Sequence, residues 1–285
     1  MKLHIANYEP GRTGGGWTFS RYLANKLGQS DYESADVYMI TGASMINSTD
    51  FNNGVVEKAK SDGKKIVLRI DNALRNSRNG NLGMTRMKKF AELADVVIYQ
   101  SKWAKDYLMP FTKKDGPVIL NGCDLNLFYP DEKRPNTYIY SRVNRDETKG
   151  WEVARYWFSR QHITGGELDA LKSKLYIVGN FSPELRDANF DFYMGENYEF
   201  LAVLATPAYA KLLRQSESFI YTYFMDACSN SACEALVSGC RIVGPKYFQT
   251  TGGMPEILQA FREGGREALG LERMVGEYKH HLSML

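Results

Sequence analysis

The stretch DACSNSACEALVSGCRIVGP, residues 226–245, runs from a carboxylate through a polar turn and a short apolar helix into a strand. Asp226 precedes the turn Cys228-Ser229-Asn230-Ser231, Ala232 to Val237 reads as helix, Gly239 ends it, and Arg241-Ile242-Val243 reads as a strand. Asp226 and Glu234 therefore stand on either side of a helix start, one before it and one about a turn inside. Unpaired N–H groups and about half a positive charge at a helix N-terminus suit an anion such as phosphate. Carboxylates flanking a phosphate can accept hydrogen bonds from sugar hydroxyls, the makings of a sugar-nucleotide pocket. A capped surface helix with solvated acids fits the same residues equally well, and the stretch alone leaves both open.

Outward from it, short apolar runs alternate with amphipathic ones. In the first half the expected strands are Leu3–Asn7, Val37–Ile40, Lys65–Ile70, Val96–Gln100 and Val118–Leu120, with helices over Trp17–Leu27, Phe51–Ser61, Leu82–Leu93 and Trp103–Met109. In the second half the strands are Tyr138–Val143, Leu175–Val178, Tyr198–Leu201, Phe219–Tyr223 and Arg241–Val243. Helices are expected there over Trp151–His162, Pro207–Gln215, Ser231–Ser238, Met254–Arg262 and Arg266–His281. Continuous apolar strands between helices argue for parallel sheets covered on both faces. The charged, twice proline-interrupted segment 129–136 is the best boundary. The expected architecture is α/β, two Rossmann-like domains over 1–132 and 133–285 facing a central cleft, since such sheets bind ligands at the carboxyl ends of their strands. The final helix is free to pack back on the first domain.

Apolar residues at 44% and charged residues at 24% describe a soluble globular chain, and a net charge of +3 makes no overall case for nucleic acid. Locally, residues 69–89 carry Arg69, Arg75, Arg78, Arg86, Lys88 and Lys89 against Asp71 alone, either a surface for an anionic acceptor or a solvated face. Cysteines 123, 228, 233 and 240 form no CxxC pair, so reduced thiols and no zinc site are expected. MKLHIANYEP starts as a strand without a signal-peptide core, and no apolar run is long enough to span a membrane. The expected setting is the cytoplasm.

Two further segments carry chemistry. Gly14-Gly15-Gly16 opens the first helix, where bare backbone can approach a ligand closely, but the spacing is not the dinucleotide GxGxxG, and no acid ends the second strand. The second half begins Tyr140-Ser141-Arg142-Val143-Asn144-Arg145-Asp146-Glu147-Thr148-Lys149-Gly150. Arg142 at a strand end and Lys149 at the next helix mouth can neutralise a diphosphate, as a planar fork and a point charge, with Arg145 a third candidate.

These segments resemble the retaining group-1 family of GT-B glycosyltransferases. NGCDLNLFYP (121–130) resembles its NGVD-x-x-x-F-x-P segment, SRVNRDETKG (141–150) its GR-loop-KG segment, and LYIVGN (175–180) its IVG strand. YEFLAVL (198–204) is similar to its V-x-FLG strand, DACSNSACE (226–234) to its E-x7-E motif, and GGMPEIL (252–258) to its GG-x-PE-x-I loop, all in the family's order. The resemblance implies a nucleotide-diphosphate-sugar donor, with Arg142 and Lys149 on the diphosphate, Glu234 on the ribose and Asp226 on the transferred sugar. Asn230 and Ser231 would add contacts at the helix start, and Gly15 and Gly16 would close over the donor or acceptor. It implies no metal and no separate cofactor. Asp226 departs from the family's glutamate, one methylene shorter. Arg69-Ile70-Asp71 resembles an R-hydrophobic-D variant, which makes Asp71 a candidate for contacting or deprotonating the acceptor, with Arg69, Arg75 and Arg78 beside it. A loop cap or a salt bridge to a neighbouring arginine explains Asp71 equally well.

The function expected is retaining transfer of a hexosyl or pentosyl group to a hydroxyl. The acceptor is a glycan or glycolipid in the first instance. A hydroxylated DNA base such as hydroxymethylcytosine is the second candidate, suggested by the basic 69–89 segment. A GT-B-fold nucleotide-sugar epimerase and a non-catalytic nucleotide-sugar-binding module are the competing readings.

Overall fold

A computed structural model describes residues 1–11, 15–70, 80–143, 149–163, 173–180 and 197–285. Contacts divide the chain into two compact units, Met1–Gly122 with Asp226–Cys228 and Gly270–Leu285, and Cys123–Met225 with Ser229–Leu269.

The first unit holds strands β1 (Leu3–Ile5), β2 (Val37–Ile40), β3 (Lys65–Ile70) and β4 (Val96–Tyr99), parallel and in that order. Successive side chains of a strand point to opposite faces, and here both faces are buried. Val37 and Met39 join Val67 and Ile98 in one core with Phe19 and Leu23 of helix Gly15–Leu27 and Met274, Val275 and Tyr278 of helix Leu271–Ser283. Tyr38 and Ile40 join Ile66, Leu68, Val97 and Tyr99 in the other, beneath helices Val55–Ser61 and Gly80–Leu93. That double burial is why these strands read as unbroken apolar runs.

The second unit is a five-stranded sheet in the order β7-β6-β5-β8-β9, again parallel throughout. Its strands are β5 (Arg134–Val143), β6 (Lys174–Gly179), β7 (Tyr198–Leu201), β8 (Ser216–Ile220) and β9 (Arg241–Val243). Helices Trp151–Ile163, Thr206–Gln215 and Asn230–Val237 lie among them in sequence, and helix Met254–Gly264 follows the last strand. Pro207 sits in the first turn of its helix, where a missing N–H costs nothing.

Several sequence expectations change. The helix over Phe51–Ser61 is two, Ser48–Asn52 and Val55–Ser61, because Gly54 takes a left-handed φ of 66° between them. Val118–Leu120 shrinks to a single bridge between Tyr99 and Val118, next to Pro117, which has no N–H to donate. The strand expected over Phe219–Tyr223 ends at Ile220, since Thr222 turns away to hold another loop. The helix expected over Arg266–His281 starts anew at Leu271, after a short turn and an extended Gly270.

Gly122 packs tightly within the first unit: a Cβ there would lie 2.6 Å from the Gly270 carbonyl oxygen and 3.0 Å from the Leu271 Cα. Both obstacles are backbone, so they cannot rotate away. Gly122→Ala is expected to lower the unfolding free energy by about 1–3 kcal/mol, the usual cost of overpacking. Urea denaturation checks it, and an unchanged midpoint contradicts the packing described.

Candidate functional site

In the second unit a polar cluster forms where β5 ends. Residues Ser141 and Val143 pair with Val178 and Gly179 in succession, so Arg142 is an extra residue bulged from the ladder. Its φ of 73° is left-handed, an uncommon and costly conformation for a side-chain-bearing residue, and such backbone gathers at functional sites. Room for it comes from Gly179, where a Cβ would stand 2.4 Å from the Val143 carbonyl oxygen.

Lys149 is buried, and its backbone is held from two sides. The Tyr140 hydroxyl donates to its carbonyl at 2.6 Å, and Thr222 Oγ1 reaches the carbonyls of Lys149 and Gly150 at 3.1 and 2.9 Å. Gly150 has a φ of 68° and sits so near Thr222 that a Cβ would lie 2.4 Å from its carbonyl oxygen. Glycine is required on both counts.

Both cations gather on one ring. The Arg142 guanidinium carbon lies 5.5 Å, and Lys149 Nζ 5.3 Å, from the centroid of the buried Tyr223. At this range the ring face attracts a cation and compensates for lost water. Tyr223 is itself anchored, its hydroxyl donating to the Ser141 carbonyl at 2.9 Å and lying 3.0 Å from Ser141 Oγ.

Helix Asn230–Val237 adds the carboxylate. Ser229 caps it, its side chain accepting from the Ala232 N–H at 3.3 Å. The Tyr209 hydroxyl donates to Ser141 Oγ at 3.1 Å, and the Ser231 hydroxyl at the helix start favours the ionised form of the Tyr209 phenol. Burial pushes the Tyr209 phenol well above its ordinary value, and the negative charge of Glu234 adds in the same direction. Glu234 keeps some side-chain surface accessible but is crowded by protein on its other sides. Desolvation pushes its carboxyl from 4.5 up to about 8, while the Arg142 guanidinium pulls it down. Arg142, Lys149, Ser231 and Glu234 thus share one neighbourhood, together with Tyr209 and Tyr223, which the sequence reading did not single out. An aromatic spaced between the motifs carries no local signal of that kind.

The remaining candidates lie in the first unit, at the start of helix Asn230–Val237 in the second, or outside the described residues. Gly15 and Gly16 open helix Gly15–Leu27, where Ser20 Oγ donates back to the Gly16 carbonyl at 2.9 Å. Asp226 is buried. Arg69, expected beside an acceptor, is an interior residue with 2% exposure, a correction to the basic-surface reading. Its guanidinium donates to the Thr41 carbonyl at 2.8 Å and to Asn121 Oδ1 at 2.9 Å, and lies 3.6 Å from the Phe19 centroid. Arg86 is buried too, on the Ile46 carbonyl and Ser48 Oγ, and Lys89 pairs with Glu57. Asn230 begins its helix. Asp71, Arg75, Arg78 and Arg145 fall outside the described residues. Among the described residues no cluster of three metal-ligating side chains occurs, and no helix is long and apolar enough to cross a membrane.

The raised carboxyl of Glu234 has a solution signature. Below pH 4.5 the group is protonated in both folded and unfolded chains and contributes no pH dependence. As pH rises toward about 8 the unfolded chain releases the proton first, so folding stability declines across that window. Glu234→Gln is expected to flatten this decline in urea midpoints measured from pH 4.5 to 8. The same slope in wild type and variant is the contrary result.

Comparison by sequence finds no matching family model and no matching curated protein. Solved structures do match. HepE from Anabaena in complex with UDP superposes with a TM-score of 0.71 at 12% identity, over 100% of both chains. In complex with UDP-glucose, HepE gives a TM-score of 0.63 at 14% identity, again over 100% of both chains. Sucrose-phosphate synthase from Thermosynechococcus elongatus gives 0.63 at 13% identity, over 94% of this chain and 78% of that one. AviGT4, a glycosyltransferase involved in avilamycin A biosynthesis, gives 0.61 at 14% identity, over 98% and 96%. At these identities the likeness is one of fold, and the fold is that of the GT-B glycosyltransferases.

Proposed function

We propose that this chain is a retaining glycosyltransferase that moves a sugar from a nucleotide-diphosphate donor to a hydroxyl acceptor. The observation that carries this reading is the convergence of Arg142 and Lys149 on the Tyr223 ring, with Glu234 electrostatically coupled to Arg142 in the same unit. Two preplaced cations at the carboxyl end of a central parallel strand suit a diphosphate, and a mostly neutral carboxyl nearby can both donate to and accept from ribose hydroxyls. HepE, of like fold, binds UDP and UDP-glucose, which makes a uridine diphosphate sugar the first donor to test.

In the proposed reaction the bond between the anomeric carbon and the diphosphate oxygen breaks, and its electron pair stays with the diphosphate. Arg142, Lys149 and the start of helix Asn230–Val237 offset the charge that grows there. The acceptor oxygen bonds to the anomeric carbon from the same face and passes its proton to the departing phosphate oxygen. Asp226 contacts the transferred sugar, and Asp71 is the proposed acceptor contact. Side chains supply the positive charge, so turnover is expected to persist in EDTA.

A glycan or glycolipid is the acceptor we favour. The DNA reading drew on the basic 69–89 segment, and Arg69, Arg86 and Lys89 there are engaged with the protein's own groups.

Arg142→Ala and Lys149→Ala are each expected to lower transfer at saturating donor by about 100-fold or more, as loss of a transition-state cation does. Near-normal turnover in both, with native melting temperatures, contradicts the reading. An isomerised donor with no acceptor consumed points to an epimerase, and donor binding without transfer or hydrolysis to a binding module.

A further inference from the structure

The Asn121 side chain is the junction of a buried network in the first unit. Its Oδ1 accepts from Arg69 Nη2 at 2.9 Å, and its Nδ2 donates to Gln100 Oε1 at 2.9 Å and to the Cys228 carbonyl at 2.8 Å. The Asn121 N–H meets Cys228 Sγ at 3.3 Å, and its carbonyl accepts from Arg273 Nη2 at 3.2 Å. Gln100 Nε2 continues the chain to the Ile70 carbonyl at 3.2 Å. Arg69, Gln100 and Asn121 are all nearly inaccessible, so each of these bonds is made away from competing water.

The chemistry fixes which way the amide faces. Arginine can only donate and a backbone carbonyl can only accept, so oxygen must face Arg69 and nitrogen must face Cys228. The asparagine amide meets both needs, whereas leucine meets neither and aspartate only the first. Cys228 is two residues from Asp226, and the segment Asp226–Cys228 belongs to this unit while the chain on either side of it belongs to the other. The bonds from Asn121 to the Cys228 carbonyl and thiol tie the end of this three-residue excursion to the first unit.

We propose that Asn121 is a positioning residue for Asp226, fixing the Cys228 backbone and thereby the height at which the Asp226 carboxylate meets the transferred sugar. The proposal rests on the role assigned to Asp226 above. Arg69 and Arg273 act behind Asn121, one holding its side chain and the other its carbonyl.

The test compares wild type with Asn121→Asp, which keeps the size of the side chain and the Arg69 partner, and with Asn121→Ala. Alkylation of Cys228, located by mass spectrometry in the folded protein, is expected to quicken about tenfold in both variants, as loss of a buried hydrogen bond implies. Binding of UDP, measured by calorimetry, is expected to stay within about twofold, and kcat to fall about tenfold or more with donor KM little changed. Adding Asn121→Asp to Asp226→Asn is expected to lower kcat no further, because the asparagine acts through the carboxylate. Unchanged Cys228 labelling overturns the anchoring, and faster labelling with unchanged kcat overturns the positioning. Wild-type protein that transfers from no nucleotide sugar overturns the functional reading instead, while the labelling result still decides whether Asn121 holds the segment.

Discussion

The left-handed turn of Arg142 near the end of a parallel ladder is the constraint on which the second unit's polar cluster depends. A strand at regular pleat would send Ser141, Arg142 and Val143 alternately up and down, each opposite one partner. The extra residue breaks that alternation and turns the guanidinium toward the Tyr223 ring. A side-chain-bearing residue with positive φ costs on the order of 1–3 kcal/mol, which the surrounding contacts must offset. They are visible: Ser141 takes hydroxyls from both Tyr223 and Tyr209, and Val143 fills the space that Gly179 leaves open. Strain at Arg142 and the absence of a side chain at residue 179 are two halves of one arrangement.

Lys149 reaches the same ring by different means. It lies beyond the end of β5, and its place is set by carbonyl anchoring from Tyr140 and Thr222 and by a glycine that no other residue can replace. The two cations are thus set by different local anchors and converge on one aromatic face. A preplaced pair of this kind can stabilise charge without reorganising as the charge appears. Glu234 feels the opposing pulls of burial and of Arg142, which leaves it within reach of both protonation states near neutrality.

Much of the fold was legible because the inner strands of each sheet are buried on both faces. Val37–Ile40, Lys65–Ile70, Tyr198–Leu201 and Arg241–Val243 appear as strands with the bounds their apolar runs suggest. Where the reading slipped, one residue's backbone decided against the pattern, as at Gly54 inside an apparently continuous helix and Pro117 beside an apparent strand. Charge was harder to place. Arg69 closes an apolar strand and sits among basic neighbours, so it reads as surface, yet a carbonyl, an amide and the Phe19 face satisfy it indoors. Those partners come from residues 19, 41 and 121, distances no local window spans. Tyr209 and Tyr223 escaped for the same reason, since only the tertiary fold brings a helix tyrosine and a post-strand tyrosine onto one serine.

The last helix of the chain fills a face of the first sheet, with Leu271, Met274, Val275, Tyr278 and Leu282 packed against residues from β1, β2 and the first helix. During synthesis the ribosome must therefore make the whole of the second unit before the first can close its core. At typical elongation rates of about 5–20 residues per second, the interval between Gly122 and Leu271 lasts roughly 7–30 s. Through that interval Leu3, Ile5, Val37 and Met39 lack their covering helix. The nascent chain is then a natural client for chaperones that shield apolar surface, and the first unit, though first in sequence, is the last to be finished.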